Sequence, residues 1–377
     1  MHVPLLTELQ RFPTSGARAV ASFAIDGVRW LAIPQLAADA PGTPEGINGG
    51  TSDTEVLLFR DGPDGFEPAG ALQAQGGEDV EVVELDGRLL LAVASIRTGS
   101  GPYDFATDST IFEWDGAGFV PFQRVPSYAA KQWRHFLIDG VRYLALAQNH
   151  PAESRNPSSV LRWSGEQFEP FQELESAAGY NFAAFELDGA HYLAHADHVL
   201  PSRLYRWDGS RFAEHQELLT TGGGRAFLPF DQAGERYLAV ARIDGDSLVL
   251  RWDGTRFAEH GVLPGGAGGR EFALIKTADA TYLLRVNFIL GSPAEPQPDL
   301  ASYVYRVDGG RAEIVEEFRT SGGTDVTVIH GGGDGAARLR VAVSNGLAPH
   351  PEPGATFGAD TVIYGFDPSG HNSRGRA

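Results

Sequence analysis

The chain has no cysteine and one methionine, at position 1. Disulfides, zinc-thiolate sites and cysteine nucleophiles are therefore excluded. No apolar run is long enough to cross a bilayer as a helix, and Met1 to Gln10 has no basic-then-apolar leader. Neither Asn48 nor Asn372 opens a glycosylation sequon, and Asn156 is followed by Pro157. These absences set a cytoplasmic location as the expectation. Cations are scarce: 30 basic residues face 49 acidic ones, for a formal net charge of -19. Nucleic acid and anionic membranes would be repelled, so neither is an expected partner. There is no Gly-x-Ser-x-Gly elbow, phosphate loop, dinucleotide fingerprint or His-Glu-x-x-His helix, so no standard hydrolase or cofactor enzyme can be argued. No cofactor is expected.

What is present is repetition. Phe185 to Ala194 reads Phe-x-x-Asp-Gly-x-x-Tyr-Leu-Ala, and Arg206 to Gly209 with Phe212 to Gln216 supplies Arg-Trp-Asp-Gly and Phe-x-x-x-Gln. The first marker recurs at Asp26-Gly27, Asp86-Gly87, Asp139-Gly140, Asp188-Gly189, Ala233-Gly234, Ala278-Asp279 and Asp334-Gly335. The second recurs at Asp61-Gly62, Asp115-Gly116, Ser164-Gly165, Asp208-Gly209, Asp253-Gly254, Asp308-Gly309 and Asp367-Pro368. Asp-Gly between short alternating apolar runs signals a β-hairpin, because glycine accepts the positive φ of a type I′ turn. Two hairpins per unit and seven units predict an all-β chain, a seven-bladed β-propeller of four-stranded antiparallel blades over residues 1–370, with 371–377 as a disordered tail. Trp114, Trp163, Trp207 and Trp252 recur in register with the turns and read as inter-blade packing. The last unit is one strand short. Thr7-Glu8-Leu9 mirrors Gln172-Glu173-Leu174 and Gln216-Glu217-Leu218 at the ends of fourth strands, so the N-terminal strand is expected to complete the last blade and close the ring.

The run Lys131 to Gly140, followed by Tyr143-Leu144-Ala145, Ser159 to Trp163 and Phe168 to Gln172, resembles the epilepsy-associated repeat, or EPTP repeat. The resemblance covers essentially the whole chain, with degenerate units around Ala278 and Asp334. It implies a seven-bladed propeller and a binding role. Animal members are extracellular or cell-surface proteins that bind other proteins, including receptors of the disintegrin-metalloprotease type. This chain lacks their leucine-rich partner domains, so those partners are not carried over.

In a meander of strands a to d, the d-to-a and b-to-c loops share one face. Its b-to-c loops are long at 36–53, 96–108, 149–157, 288–301 and 346–360 but short at 198–201 and 243–246, which predicts a face walled on one side and open over two blades. Equivalent positions at the start of strand a are Arg18, Glu78, Lys131, Tyr180, Arg225, Arg270 and Thr324, followed by Ala19, Asp79, Gln132, Asn181, Ala226, Glu271 and Asp325. Strand b exits at Gln35, Ser95, Gln148, Asp197, Arg242, Asn287 and Ser344. Ligand-binding candidates are Arg18, Lys131, Tyr180, Asn181, Arg225, Arg270, Asp197 and Asn287. Four cations at one register position in so acidic a chain suit an anionic group, or else pair with Glu78, Asp79, Glu271 and Asp325 across the channel. If the chain is an enzyme, Tyr180, Glu78, Asp79 or Glu271 would be its general acid or base. Asp79, Glu271 and Asp325 are the weak metal candidates, with calcium or a similar hard cation the ion they suit in a central channel. His191 and His195, four residues apart on an extended strand, lie about 13 Å apart and cannot share an ion. Thr54, Ser109, Ser158, Ser202, Ser247, Ser302 and Thr361 recur in all seven units, which suits turn bonding and not nucleophilic chemistry. The expected partner is a protein segment or an anionic small molecule, bound by a monomer.

Overall fold

The computed structural model describes residues 4–44, 46–149, 156–330, 339–349 and 355–369. Seven four-stranded antiparallel sheets follow one another around a central channel. Blade 4 shows the pattern: strand a is Gly179–Leu187, b Ala190–Asp197, c Ser202–Trp207 and d Phe212–Leu219. Blades 1, 2, 3, 5 and 6 span 21–72, 77–128, 130–174, 224–263 and 269–321. Blade 7 takes strands a, b and c from Gly323–Ile329, Leu339–Asn345 and Thr361–Phe366, and its fourth strand is Leu6–Phe12. The a strands of neighbouring blades touch all the way round, so strand a lines the axis and strand d the rim.

The a-to-b turns follow directly from their residues. Asp26, Asp86, Asp139, Asp188 and Ala233 have φ near +50° and each following glycine is also positive, the type I′ geometry the Asp-Gly pairs predicted. The c-to-d turns are built differently. There Asp115, Asp208 and Asp253 each accept two backbone N–H groups through Oδ1, so the aspartate acts as an Asx cap and only the glycine is left-handed. Asp334-Gly335, parts of the 149–157 and 346–360 loops and the 371–377 tail lie outside the described residues.

Between blades the core is apolar and aromatic. Tyr143, Ala145 and Val160 of blade 3 pack on Phe182, Leu193, Tyr205 and Phe212 of blade 4, all buried. Trp207 sits edge-on to Tyr143 of blade 3, its ring centre 5.8 Å away, and Trp163 lies 6.3 Å from Phe122 of blade 2. The recurring hydroxyls at the start of strand c are buried. Ser109, Ser158, Ser202, Ser247 and Ser302 each accept the N–H of the residue leaving strand b of their own blade.

A bulge interrupts every c–d pairing one residue before the last position of Phe-x-x-x-Gln. It aims that glutamine at the next blade. Gln172 Nε2 donates to Phe212 O at 2.8 Å and its Oε1 accepts Phe212 N–H at 2.9 Å. Gln123 clasps Phe168, Gln216 clasps Phe257 and Gln10 clasps Phe66 in the same two-bond manner. Glu316 closes the ring by accepting the N–H groups of Leu5 and Leu6. The closing strand is therefore confirmed, with a corrected register: Gln10-Arg11-Phe12, not Thr7-Glu8-Leu9, is the counterpart of Gln172-Glu173-Leu174, since Gln10 faces Ile363 and Phe12 faces Thr361 as Gln172 faces Val160 and Leu174 faces Ser158.

Candidate functional site

Strand a carries a second set of bulges. Pairing with strand b slips by one residue at Glu78, Lys131, Tyr180, Arg225, Arg270 and Thr324. The same one-residue offset separates the Ala17↔Gln35 bridge of blade 1 from the Ala21↔Ala32 pair and brackets Arg18. A bulged residue has no partner on the next strand and its side chain is re-aimed, here into the axis. The residue before it is glycine in five blades for lack of room. A Cβ on Gly224 would sit 2.4 Å from Ser202 Oγ, and one on Gly269 2.5 Å from Ser247 Oγ.

The result is a closed ring of charge at the channel mouth. Glu78, 3% exposed, stands among the cations: Lys131 Nζ lies 3.2 Å and Arg270 Nη2 3.0 Å from Oε1, and Arg18 Nε 3.5 Å from Oε2. Burial would raise the Glu78 pKa, but Lys131, Arg18 and Arg270 together hold it at about 2. Tyr180 lies beside them. Arg225 stacks its guanidinium 3.9 Å from the Tyr180 ring centre, with Lys131 and Arg270 at 5.1 and 5.2 Å. Burial opposes ionisation of the phenol, yet the three cations bring it down to about 8. Burial lowers the pKa of Arg18, Lys131 and Arg225.

One residue deeper along the strands the sign reverses. Asp79, Glu271 and Asp325 line a cavity of about 380 Å³ together with the mouth residues, Gln132, Glu81 and Arg134. Asp79 Oδ2 accepts Trp133 N–H at 2.9 Å, Asp325 Oδ2 accepts Val20 N–H at 2.8 Å, and Glu271 Oε1 accepts the N–H of Phe272 at 3.1 Å. Burial raises all three, reinforced by Glu81 at Asp79 and by Asp325 at Glu271, which reaches about 8. Gln132 takes Phe182 N–H and Asn181 takes Phe227 N–H from the same register, so this layer also staples blade to blade. Among the described residues no three carboxylate or imidazole groups converge closely enough to hold a metal ion.

The other candidates are turned into the blades. Asp197, 1% exposed, accepts N–H groups from Ala177, Ala178, Val199 and Leu200 and the hydroxyl proton of Ser176, which pins the short 198–201 turn. Asn287 is buried and donates to Ala301 O. His195 stacks on Phe182 at 4.3 Å, with Ser158 Oγ 3.2 Å from Nε2, and burial takes its pKa down to about 4.

Above the mouth the long loops of blades 6, 7, 1 and 2 knit a wall around Leu36, Ala37, Phe288, Ile289, Leu347 and Phe357. Arg97 ties it, donating to Ser52 Oγ, Asn48 O and Gly49 O while stacked 3.8 Å from Tyr103. Phe288 covers Arg18 and Arg270 at 5.3 and 5.6 Å. Arg97 and Phe288 escaped the sequence reading because neither occupies a repeated position. Tyr180 and Arg225 stand on blades 4 and 5, where the loops are short.

Three consecutive segments, 118–164, 167–208 and 211–253, match the EPTP domain family. Over these three segments the propeller matches the EPTP repeat. Each matched segment runs from strand d of one blade through a, b and c of the next, the same phase in which the chain itself begins with a d strand. The glutamine clasp therefore joins one matched segment to the next: Gln123 and Gln172 each lie in one segment and hold a phenylalanine at the start of the following one. No curated protein matches the propeller in sequence. Among solved structures it is similar to BBS1N in complex with ARL6DN, at 12% identity over 97% of this chain and 98% of that one with a TM-score of 0.58. It is also similar to Saccharomyces cerevisiae Sqt1, at 10% identity over 96% and 99% with a TM-score of 0.55. The SapL1 lectin in complex with alpha methyl fucoside aligns at 13% identity over 80% of this chain and 96% of that one, with a TM-score of 0.46. At such identities the first two likenesses speak to fold alone.

Proposed function

We propose that this propeller is a binding protein that captures the anionic group of a small molecule at the channel mouth. One observation carries the reading. Arg225 is only 9% exposed, yet its Nε and Nη1 have no hydrogen-bond partner among the described residues, while the one mouth carboxylate, Glu78, is taken up by Arg18, Lys131 and Arg270. A buried guanidinium with two idle donors is costly, and an incoming carboxylate or phosphate would satisfy one of them in a charge-assisted hydrogen bond. Arg225 also lines the cavity, beneath the low side of the wall. The test is a thermal-shift screen of phosphate, sulfate and short carboxylates at constant ionic strength, on the parent and on Arg225→Gln. Stabilisation by an anion that disappears in the variant supports the reading. No response to any anion, or an equal response in both proteins, overturns it.

A second reading is a cofactor-independent enzyme at the same cavity. Glu271 and Tyr180, each brought to about 8, are suited to exchange protons near neutral pH. Turnover of the bound anion, lost in Tyr180→Phe or Glu271→Gln with binding retained, would distinguish it.

A further inference from the structure

The cavity beneath the mouth is bipolar, and its two layers are set by adjacent register positions on the seven a strands. The bulged position carries Arg18, Lys131, Arg225 and Arg270 against Glu78 alone. The next position carries Asp79, Glu271 and Asp325 with no cation in its layer, the other four residues being Ala19, Gln132, Asn181 and Ala226. Arg134, two positions deeper, is engaged with Glu81 Oε2 at 3.8 Å and Phe182 O at 3.1 Å. Asp79 and Glu271 each accept one backbone N–H through one oxygen, and Asp325 Oδ2 accepts both Val20 N–H and the Thr327 hydroxyl. They are spaced too widely for a metal shell, which needs oxygen ligands at about 2.3–2.6 Å, but not for an organic ammonium resting against two of them.

Resting on the anion-binding reading of Arg225, we propose that the ligand is an elongated zwitterion, with its carboxylate on Arg225 at the mouth and its ammonium among Asp79, Glu271 and Asp325. The layers are one residue of strand apart along the axis, about 3 Å, and Arg225 on blade 5 faces Asp79 and Asp325 on blades 2 and 7 across the channel, so the ligand is an ω-amino acid with a chain of four to six carbons lying diagonally between them. A simple anion would satisfy the upper layer and leave the lower one unpaired. A simple cation would do the reverse and meet the arginines. The groups facing the lower carboxylates are Glu81, Arg134 and Arg270 together with one another; burial and Asp325 keep Glu271 protonated up to about 8 against the opposing pull of Arg270 and Arg134. An ammonium arriving there displaces that proton, so binding near neutral pH releases protons to the buffer.

The experiment compares 6-aminohexanoate, hexanoate and hexylamine by calorimetry on the intact chain, in two buffers of different ionisation enthalpy. Expected is binding of 6-aminohexanoate about tenfold tighter than hexanoate, the worth of one charge-assisted hydrogen bond, with proton release seen only for the amino acid. Asp325→Asn and Glu271→Gln should bring 6-aminohexanoate down to the affinity of hexanoate and leave hexanoate unchanged. Hexanoate binding as tightly as 6-aminohexanoate, both lost in Arg225→Gln, overturns the zwitterion and leaves the anion site standing. Binding of hexylamine alone, or of none of the three, overturns both.

Discussion

Replacing Glu78 by glutamine tests the mouth network most directly. Its side chain is 1% exposed and is, among the described residues, the sole carboxylate paired with Arg18, Lys131 and Arg270. The native pKa of about 2, against an ordinary 4.5, means that the ionised form is favoured by the fold by about 3 kcal/mol. That agrees with the roughly 3–5 kcal/mol lost when one partner of a buried pair is removed and the other charges are left behind. With an unfolding entropy of about 2.1 cal/mol/K per residue over the 377 residues, a loss of this size lowers Tm by about 4 °C. The sign with pH follows from a depressed acid: the stabilisation is complete above pH 4.5 and is lost as pH falls through about 2. Differential scanning calorimetry of the parent and Glu78→Gln at pH 7 should show the Tm gap, and acid titration should narrow it below pH 4.5. A Tm within 1 °C of the parent at pH 7 would refute the assignment of Glu78 as the neutralising hub of the mouth.

Gln172→Ala removes both bonds of one blade-to-blade clasp and should cost about 1–3 kcal/mol by urea denaturation. Gly261, the blade 5 counterpart of Gln172, has an ordinary φ and open space around its Cβ, so Gly261→Gln should raise Tm, whereas Gly70→Gln should lower it because Gly70 sits at φ +126°. Deleting residues 1–12 should collapse the single unfolding transition or lower it strongly, since blade 7 loses its outer strand and Glu316 its partners; unchanged melting would refute closure by that strand. Glu271 is a raised acid, so its contribution is complete below pH 4.5 and is lost as pH rises through about 8. Glu271→Gln should accordingly flatten the fall of Tm between pH 5 and 8.

The glutamine clasp shows where reading from residues stopped. Phe-x-x-x-Gln was visible as a pattern in strand d, but its spacing fits no partner within the blade. Its meaning depends on a bulge one residue before the glutamine and on a neighbouring blade about 40 residues away. The charged positions of strand a were likewise aligned by register. That Glu78 is shared by three cations, and that Arg225 is not among them, could not be read from that alignment. Asn181 occupies the same register as the channel carboxylates and is drawn into holding Phe227, because an amide and a carboxylate accept the same backbone N–H.

What this sequence settles by itself is local and repeated: Asp-Gly pairs admit positive φ, alternating apolar runs between them pair as hairpins, and seven such units with one missing strand must close on the N-terminus. Those outcomes depend on neighbours a few residues apart and are restated in every blade, so that degenerate units do not obscure them. The site depends on the opposite kind of contact. Arg270 reaches Glu78 across 192 residues of chain, through a ring whose curvature and bulges bring one side chain from each blade to the axis. Which charges meet there is a property of the closed ring, because their separation in space is set by the packing between blades and not by their separation in sequence.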